Sequence, residues 1–141
     1  MLKACYRELL SYKYQLMDDY SMQIDIRPQS DINLVFLSLT ADGLLTIRKT
    51  YAWDGSSGPT IDSRNFMRGS LVHDALYQLM RLNALDYQLY RQRADEYLRE
   101  LCLEDGMSAF RAWYSYQAVR LFGEANARPR NETEVEIICA P

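Results

Sequence analysis

The alternation of apolar and polar residues divides the chain into a first third with the period of β-strands and a remainder with the period of α-helices. Alternation at residues 12–16 and 22–26 predicts two short strands around a turn. Apolar runs at 34–39 and 44–51 flank Asp42-Gly43, a dipeptide typical of β-hairpins. The first third is therefore expected to be β-rich.

Helical spacing of apolar residues begins after a loop that contains two glycines, a proline and two serines (residues 53–60). The pattern predicts one helix from about Ser63 to Arg81, a second from about Leu85 to Glu104 and a third from Ser108 to Gly123. Residues 135–138 are a candidate late strand. We expect one α+β domain with a β-rich part (1–52), a loop (53–62), a three-helix unit (63–123) and a tail (124–141).

Composition narrows the classes of function. A net charge of −3 and a pI near 5.2 argue against a nucleic-acid partner, which requires a basic face. The three cysteines are scattered without CxxC spacing, which argues against a structural zinc site and favours a reducing compartment. No apolar run reaches the ~20 residues of a membrane span, and the first residues show no signal-peptide pattern.

His73 is the only histidine and the strongest candidate for chemistry. On a helix it shares one face with Ser70 and Tyr77. Histidine titrates near neutral pH and can act as a general base, provided that an acceptor orients its second ring nitrogen. Neighbouring side chains on a helix diverge by about 100°, so Asp74 is poorly placed for this task. Asp95, on the next antiparallel helix, can reach the ring.

Asp74 has a separate candidate role. A carboxylate beside the base could hold a hard cation together with backbone carbonyls of the loop 54–58, whose glycines permit unusual backbone angles. Calcium takes six to eight oxygen ligands of this kind. Such a cation would polarise an ester carbonyl while His73 activates water.

Simpler interpretations stay open for each residue. His73 could be a structural histidine, Asp74 could face water, and Asp95 could form surface ion pairs with Arg91 and Arg99, four residues away on either side. A Ser70–His73 hydrolase fits helical geometry, but the sequence has no Gly-x-Ser-x-Gly elbow.

Several motifs together resemble an uncharacterised family that is common in phage and prophage genomes. The similarity covers roughly residues 44 to 123. The motifs are Trp53-Asp54-Gly55-Ser56, Pro59, Phe66, His73-Asp74-x-x-Tyr77, Asp95 and Ala118-Val119-Arg120-x-x-Gly123. This resemblance implies a phage context, with synthesis in the host cytoplasm.

The same elements are more remotely similar to the small secreted prokaryotic phospholipases A2. That resemblance implies His73 as general base, Asp95 as its orienting partner and Tyr77 as a support for the pair. It also implies that Asp74 binds calcium, together with loop carbonyls near Asp54 and Gly55. The disulfide cysteines of the phospholipase pattern correspond here to Ser56 and Ser70.

Two functions follow as hypotheses. The first is a calcium-dependent phospholipase or esterase that acts on phospholipid, with a membrane surface as its partner. The alternative is a non-enzymatic accessory or virion protein, associated with a phage tail or capsid, that uses the same fold to dock onto phage structural proteins. The aromatic content of the third helix (Trp113, Tyr114 and Tyr116) favours an interface, although a plain core stripe is the more common origin of such a pattern.

Overall fold

The computed structural model describes residues 4–6, 14–54, 63–130 and 138–140. Its strands are β1 (Ala4–Tyr6), β2 (Tyr14–Gln15), β3 (Tyr20–Gln23), β4 (Ile32–Asn33), β5 (Leu37–Leu39), β6 (Leu44–Ile47), β7 (Ala52–Trp53) and β8 (Ile138–Ala140). Its helices are α1 (Arg64–Arg81), α2 (Tyr87–Glu104), α3 (Ala109–Phe122) and α4 (Glu124–Ala127).

An antiparallel sheet of four strands, in the order β3-β6-β5-β4, forms the centre of the β-rich part. The hairpin at Asp42-Gly43 joins β5 to β6, as the sequence predicts. Gly43 has a φ of +90°, and a Cβ there would collide with the carbonyl oxygen of Ile24, so the turn requires glycine.

The remaining strands pair across longer stretches of the chain. β2 pairs with β7 and β1 pairs with β8, both antiparallel. The two strands expected near residues 12–16 and 22–26 therefore lie beside different partners rather than beside each other, because β3 adds to the edge of the hairpin at β6.

Local side chains and backbone turns set the ends of the helices. The carboxylate of Asp86 accepts hydrogen bonds from the backbone of Gln88 and Leu89 at the start of α2, and the hydroxyl of Ser108 accepts one from Arg111 at the start of α3. Asn83, with a φ of +59°, turns the chain after α1. The five-residue connection that follows α1 makes α1 and α2 an antiparallel pair.

A glycine allows these two helices to approach closely. A Cβ at Gly69 would lie 3.0 Å from the Sγ of Cys102 and 3.1 Å from the carbonyl oxygen of Leu98. Any larger side chain would push α2 away from α1. This close packing determines how far a side chain on α1 must reach to contact α2.

The main core lies between the sheet and the helix pair. Alternate residues of β6, Leu45 and Ile47, are fully buried, and they share one hydrophobic cluster with Val72, Leu76 and Leu79 of α1 and their neighbours. A smaller cluster under α3 consists of Phe66, Leu98, Cys102, Met107 and Ala112. Helix α1 contributes to both clusters and is the central element of the fold.

The α+β class is confirmed, with strands first and helices after them. The three main helices lie within two residues of their predicted ends. Strands β1 and β4 and helix α4 were not predicted from the sequence, and Trp53, expected in a loop, belongs to β7. The late strand is Ile138–Ala140, while residues 135–137 of the predicted strand lie outside the described residues. Within the described ranges, no helix is both long and apolar enough to cross a bilayer.

Candidate active site

The site centres on a buried pair formed by His73 of α1 and Asp95 of α2. The Nε2 of His73 lies 2.7 Å from the Oδ1 of Asp95. Asp95 is completely buried, and the side chain of His73 is 8% exposed. A carboxylate accepts hydrogen bonds, so Nε2 carries the proton in the neutral imidazole and Nδ1 keeps its lone pair.

Three further donors surround the carboxylate of Asp95. The hydroxyl of Tyr77 donates to Oδ1 at 2.6 Å. On the other oxygen, Oδ2, a guanidinium nitrogen of Arg120 donates at 2.9 Å, and Arg91 lies at 3.5 Å. A buried carboxylate needs such partners, because an unpaired charge away from water is very costly. Asp95 is therefore fixed in one orientation relative to the imidazole.

The two arginines also attach α3 to this pair. Arg91 donates to the backbone carbonyl oxygens of Val119 (3.1 Å) and Arg120 (3.2 Å). The Val119 carbonyl oxygen also accepts from the backbone N–H of Gly123, so Arg91 is a second donor there, and a cation at the end of a helix suits the helix dipole. Three helices thus converge on one carboxylate.

The free nitrogen of His73 lies on the side of a cleft. Its Nδ1 is 3.8 Å from the Oδ1 of Asp74, whose side chain is 34% exposed. Both residues line a cleft of about 720 Å³ between β7, α1 and α3. The imidazole ring also packs against the Tyr77 ring, at 4.1 Å between ring centroids and with a tilt of 38° between the ring planes. Nδ1 is therefore the ring nitrogen that can meet a bound molecule.

Burial and charge act in opposite directions on the pKa of His73. Burial lowers the pKa, while the carboxylates of Asp74 and Asp95 raise it, and the net result is a pKa above its usual value. Burial and the neighbouring Asp95 raise the pKa of Tyr77 far above its usual value. The Tyr77 hydroxyl consequently stays protonated and remains a donor to Asp95.

The residues expected to bind calcium are placed only in part. Asp74 and Asp54 line the same cleft, and Asp54 is exposed. Their carboxylate oxygens are of the type that calcium accepts. Gly55 lies outside the described residues. Nowhere in the described ranges do three or more histidine, cysteine or acidic side chains gather into a metal-binding group, so a calcium ion would also need backbone carbonyls or water.

Ser70 is one of the two serines expected, from the resemblance to phospholipases A2, to stand in place of cysteines. Its hydroxyl accepts a hydrogen bond of 3.1 Å from the indole nitrogen of Trp53 and donates one of 2.8 Å to the carbonyl oxygen of Met67. These bonds fasten the end of β7, next to Asp54, to the middle of α1. With its hydrogen committed to Met67, Ser70 has no free donor for the serine hydrolase alternative. Ser56 lies outside the described residues.

Two interpretations made from the sequence need correction. Asp95 is not a surface residue, because its carboxylate is the most enclosed charge of the site. Arg91 belongs to the same buried network rather than to a solvated face. No role for Arg120 was predicted from the sequence, although Arg120 stands in the Ala118-Val119-Arg120-x-x-Gly123 motif.

Gly123, in the same motif, packs against the site. A Cβ at this position would lie 2.8 Å from the hydroxyl oxygen of Tyr77. The signal for these two residues is their spacing. Arg120 and Gly123 are three positions apart at the end of a helix and so lie on the same face. On that face the Arg120 side chain can reach Asp95, while Gly123 lets the Tyr77 ring come close to the backbone.

Comparison with models of known protein families, with curated proteins and with solved structures finds no match. The geometry of the described residues is therefore the basis for assigning a function.

Proposed function

We propose that this protein is an esterase of lipid substrates in which His73 acts as the general base. The observation that carries this proposal is the orientation of the imidazole. Nε2 is committed to the buried Asp95 at 2.7 Å, and Nδ1 lies towards the cleft beside Asp74. An imidazole held in this way is positioned to take a proton from water.

In the proposed reaction, the lone pair on Nδ1 removes a proton from a water molecule as its oxygen attacks the ester carbonyl carbon. The imidazolium that forms keeps its Nε2 proton directed at Asp95, whose negative charge stabilises it. The tetrahedral intermediate then releases the alcohol, which takes the proton from Nδ1. His73 returns to its neutral form, and the products are a carboxylic acid and an alcohol. Tyr77 and Arg120 hold Asp95 in place throughout.

Asp74 and Asp54 are the residues that would hold a calcium ion, with carbonyls of the adjacent loop. A bound cation would supply positive charge for the developing oxyanion. The 34% exposure of Asp74 leaves its carboxylate accessible to a ligand in the cleft. Asp74 is therefore the residue that is replaced in the binding test below.

The wall of the cleft supports a substrate with an apolar chain. Phe66 of α1, Leu98 of α2 and Val119 of α3 line it, and Leu121 and Phe122 line it at the end of α3. Ester hydrolysis at His73 beside such a wall fits a long-chain acyl ester, because each buried methylene group contributes about 0.8 kcal/mol to binding.

The alternative, a docking protein of a phage particle without catalysis, is supported by exposed aromatic side chains on α3. The two proposals differ in whether His73 turns over substrate.

The deciding experiment measures phospholipid hydrolysis by the wild type, His73→Gln and the surface variant Arg93→Gln, with calcium or with chelator. We expect His73→Gln to lose roughly 10²–10⁴-fold in rate, the usual contribution of a general base. Arg93→Gln is the matched control, because Arg93 pairs with exposed acids on the far side of α2.

Calorimetric titration with calcium, on the wild type and Asp74→Asn, tests the cation separately. We expect stoichiometric binding that Asp74→Asn abolishes. An inactive wild type, or equal activity in His73→Gln, would contradict the esterase proposal. Activity without calcium binding would remove only the cation.

A further inference from the structure

The pairing of β1 with β8 joins the two ends of the chain and brings two cysteines opposite each other. The antiparallel register places Cys5 directly across from Cys139. The chain has three cysteines, so this single cross-strand pair contains two of them. Cysteines that look scattered in the sequence therefore become neighbours in the fold.

The backbone requirement for a disulfide is met at this pair. Directly opposed residues of antiparallel strands have Cα atoms about 4.5 Å apart in a non-hydrogen-bonded pair and about 5.5 Å apart in a hydrogen-bonded pair. Disulfides span Cα separations of about 4.4–6.8 Å. Both kinds of pair fall within this range, so Cys5 and Cys139 can be bridged without a change of register.

The third cysteine does not compete for this bond. Cys102 lies in α2, is 0% exposed and packs with Phe66 and Leu98 in the smaller cluster under α3. Thiol–disulfide exchange requires that the attacking thiolate can reach the disulfide. Oxidation of the folded protein therefore selects the pair between the chain ends.

A covalent bond at this pair would strengthen a weak part of the fold. Strands β1 and β8 have three residues each and, among the strands that the structure describes, pair only with each other. An isolated ribbon of two strands is at best marginally stable in water. A disulfide here closes a loop of roughly 130 residues, and the stabilisation by a cross-link grows with the length of the loop that it closes.

We propose that Cys5 and Cys139 form a reversible disulfide that fastens the two chain ends when the protein passes from a reducing into an oxidising environment. In a reducing compartment the same residues stay as thiols. The proposal is independent of the esterase, because none of the residues assigned to catalysis takes part.

The oxidant is a small-molecule disulfide such as oxidised glutathione. The thiolate of one cysteine attacks a glutathione sulfur, forms a mixed disulfide and releases one glutathione thiolate. The thiolate of the second cysteine attacks the cysteine sulfur of that mixed disulfide, forms the bond between Cys5 and Cys139, and releases the second glutathione. Two cysteine thiols are thereby oxidised, one glutathione disulfide is reduced to two thiols, and the two protons pass to the glutathione thiolates.

The test equilibrates the folded protein with oxidised and reduced glutathione, stops exchange with acid, alkylates the remaining thiols in urea and maps the peptides of the isolated monomer without reduction. We expect a linked peptide pair that contains Cys5 and Cys139, an alkylated Cys102, and loss of the link after dithiothreitol. The urea midpoint of unfolding should be higher by roughly 1–2 M in the oxidised wild type than in the reduced one, as expected for a cross-link over a long loop.

Three variants separate the pair from the third cysteine. Cys5→Ser and Cys139→Ser should each unfold at the same urea concentration with and without oxidant, whereas Cys102→Ala should keep the rise. Each variant is compared with its own reduced form, so a change in its basal stability does not affect the result.

Glutathione adducts or disulfide-linked dimers in place of the linked peptide would overturn the proposal, and so would a link that involves Cys102. A link between Cys5 and Cys139 that leaves the urea midpoint unchanged would refute its role in fastening the chain ends.

Discussion

Replacing Asp95 by asparagine should be far more damaging than the same change at an exposed aspartate. The Asp95 carboxylate is 0% exposed and accepts from His73, Tyr77 and Arg120, with Arg91 at 3.5 Å. The asparagine side chain has the same shape but no negative charge. Its NH2 group would face either His73 and Tyr77 or the two arginines, all of which are donors. Two guanidinium groups then remain near an uncharged partner.

The size of the effect follows from the burial of the pair. Breaking a buried ion pair by removing one partner costs about 3–5 kcal/mol in the free energy of unfolding. Arg120 is 29% exposed and Arg91 13%, so water can partly solvate both cations, and we expect a loss near the lower end, about 3 kcal/mol. The comparison is Asp25→Asn. Asp25 is 60% exposed and pairs with Arg93, a class of ion pair worth about 0–1 kcal/mol.

Urea unfolding followed by circular dichroism measures both variants. With a slope of about 2 kcal/mol per molar urea, Asp95→Asn should lower the midpoint by about 1.5 M and Asp25→Asn by less than about 0.5 M. A loss below about 1 kcal/mol for Asp95→Asn, or equal losses for the two variants, would refute the view that Asp95 is the charged centre of the helical unit.

Three further outcomes are expected. Gly69→Ala should destabilise the protein by about 1–3 kcal/mol in urea, although alanine favours helices, because the new Cβ meets the Sγ of Cys102 at 3.0 Å; a gain in stability would contradict the close helix crossing. Burial, and then the charge of Asp105, raises the pKa of Cys102 to about 11. An alkylating reagent should therefore modify this thiol only when the protein is unfolded in urea, which peptide mapping would show. Because Asp74 and Asp95 outweigh burial and raise the pKa of His73, its stabilising contribution should be complete below pH ~6.5 and lost as pH rises through the folded pKa. The difference in the free energy of unfolding between the wild type and His73→Gln, measured without calcium, should therefore narrow from pH 6 towards pH 9. A difference that widens over this range would contradict a raised pKa of His73.

The helices could be predicted from the sequence because their signals are local. The polar residues before α2 and α3 and Gly106 after α2 act on their own backbone neighbours, and the apolar spacing identifies the buried face. The contact between His73 and Asp95 could also be predicted, since a short connection between two helices makes them antiparallel neighbours. The hairpin was predicted from another local signal, the Asp42-Gly43 dipeptide between two apolar runs.

Other parts depend on contacts that no local pattern encodes. Whether β3 would pair with its sequence neighbour or with β6 is decided by the core rather than by alternation. Arg120 reaches Asp95 across 25 residues, and its own helix has no amphipathic pattern to show which side faces inward. The aromatic residues of α3 were compatible with an interface or with a core stripe, and the exposure of Phe110, Trp113 and Leu121 became visible only in the structure.

The separation of contacts along the chain implies an order of assembly. His73 and Asp95 are 22 residues apart within one helical hairpin, whereas Ala4 pairs with Ala140 near the opposite chain end. Closing a longer loop costs more chain entropy before any contact repays it, so local pairs form faster. We expect the hairpin of α1 and α2 to be largely formed in the folding transition state and β1–β8 to close late. Mutations at Gly69 should then slow folding, while changes at the paired ends should mainly speed unfolding.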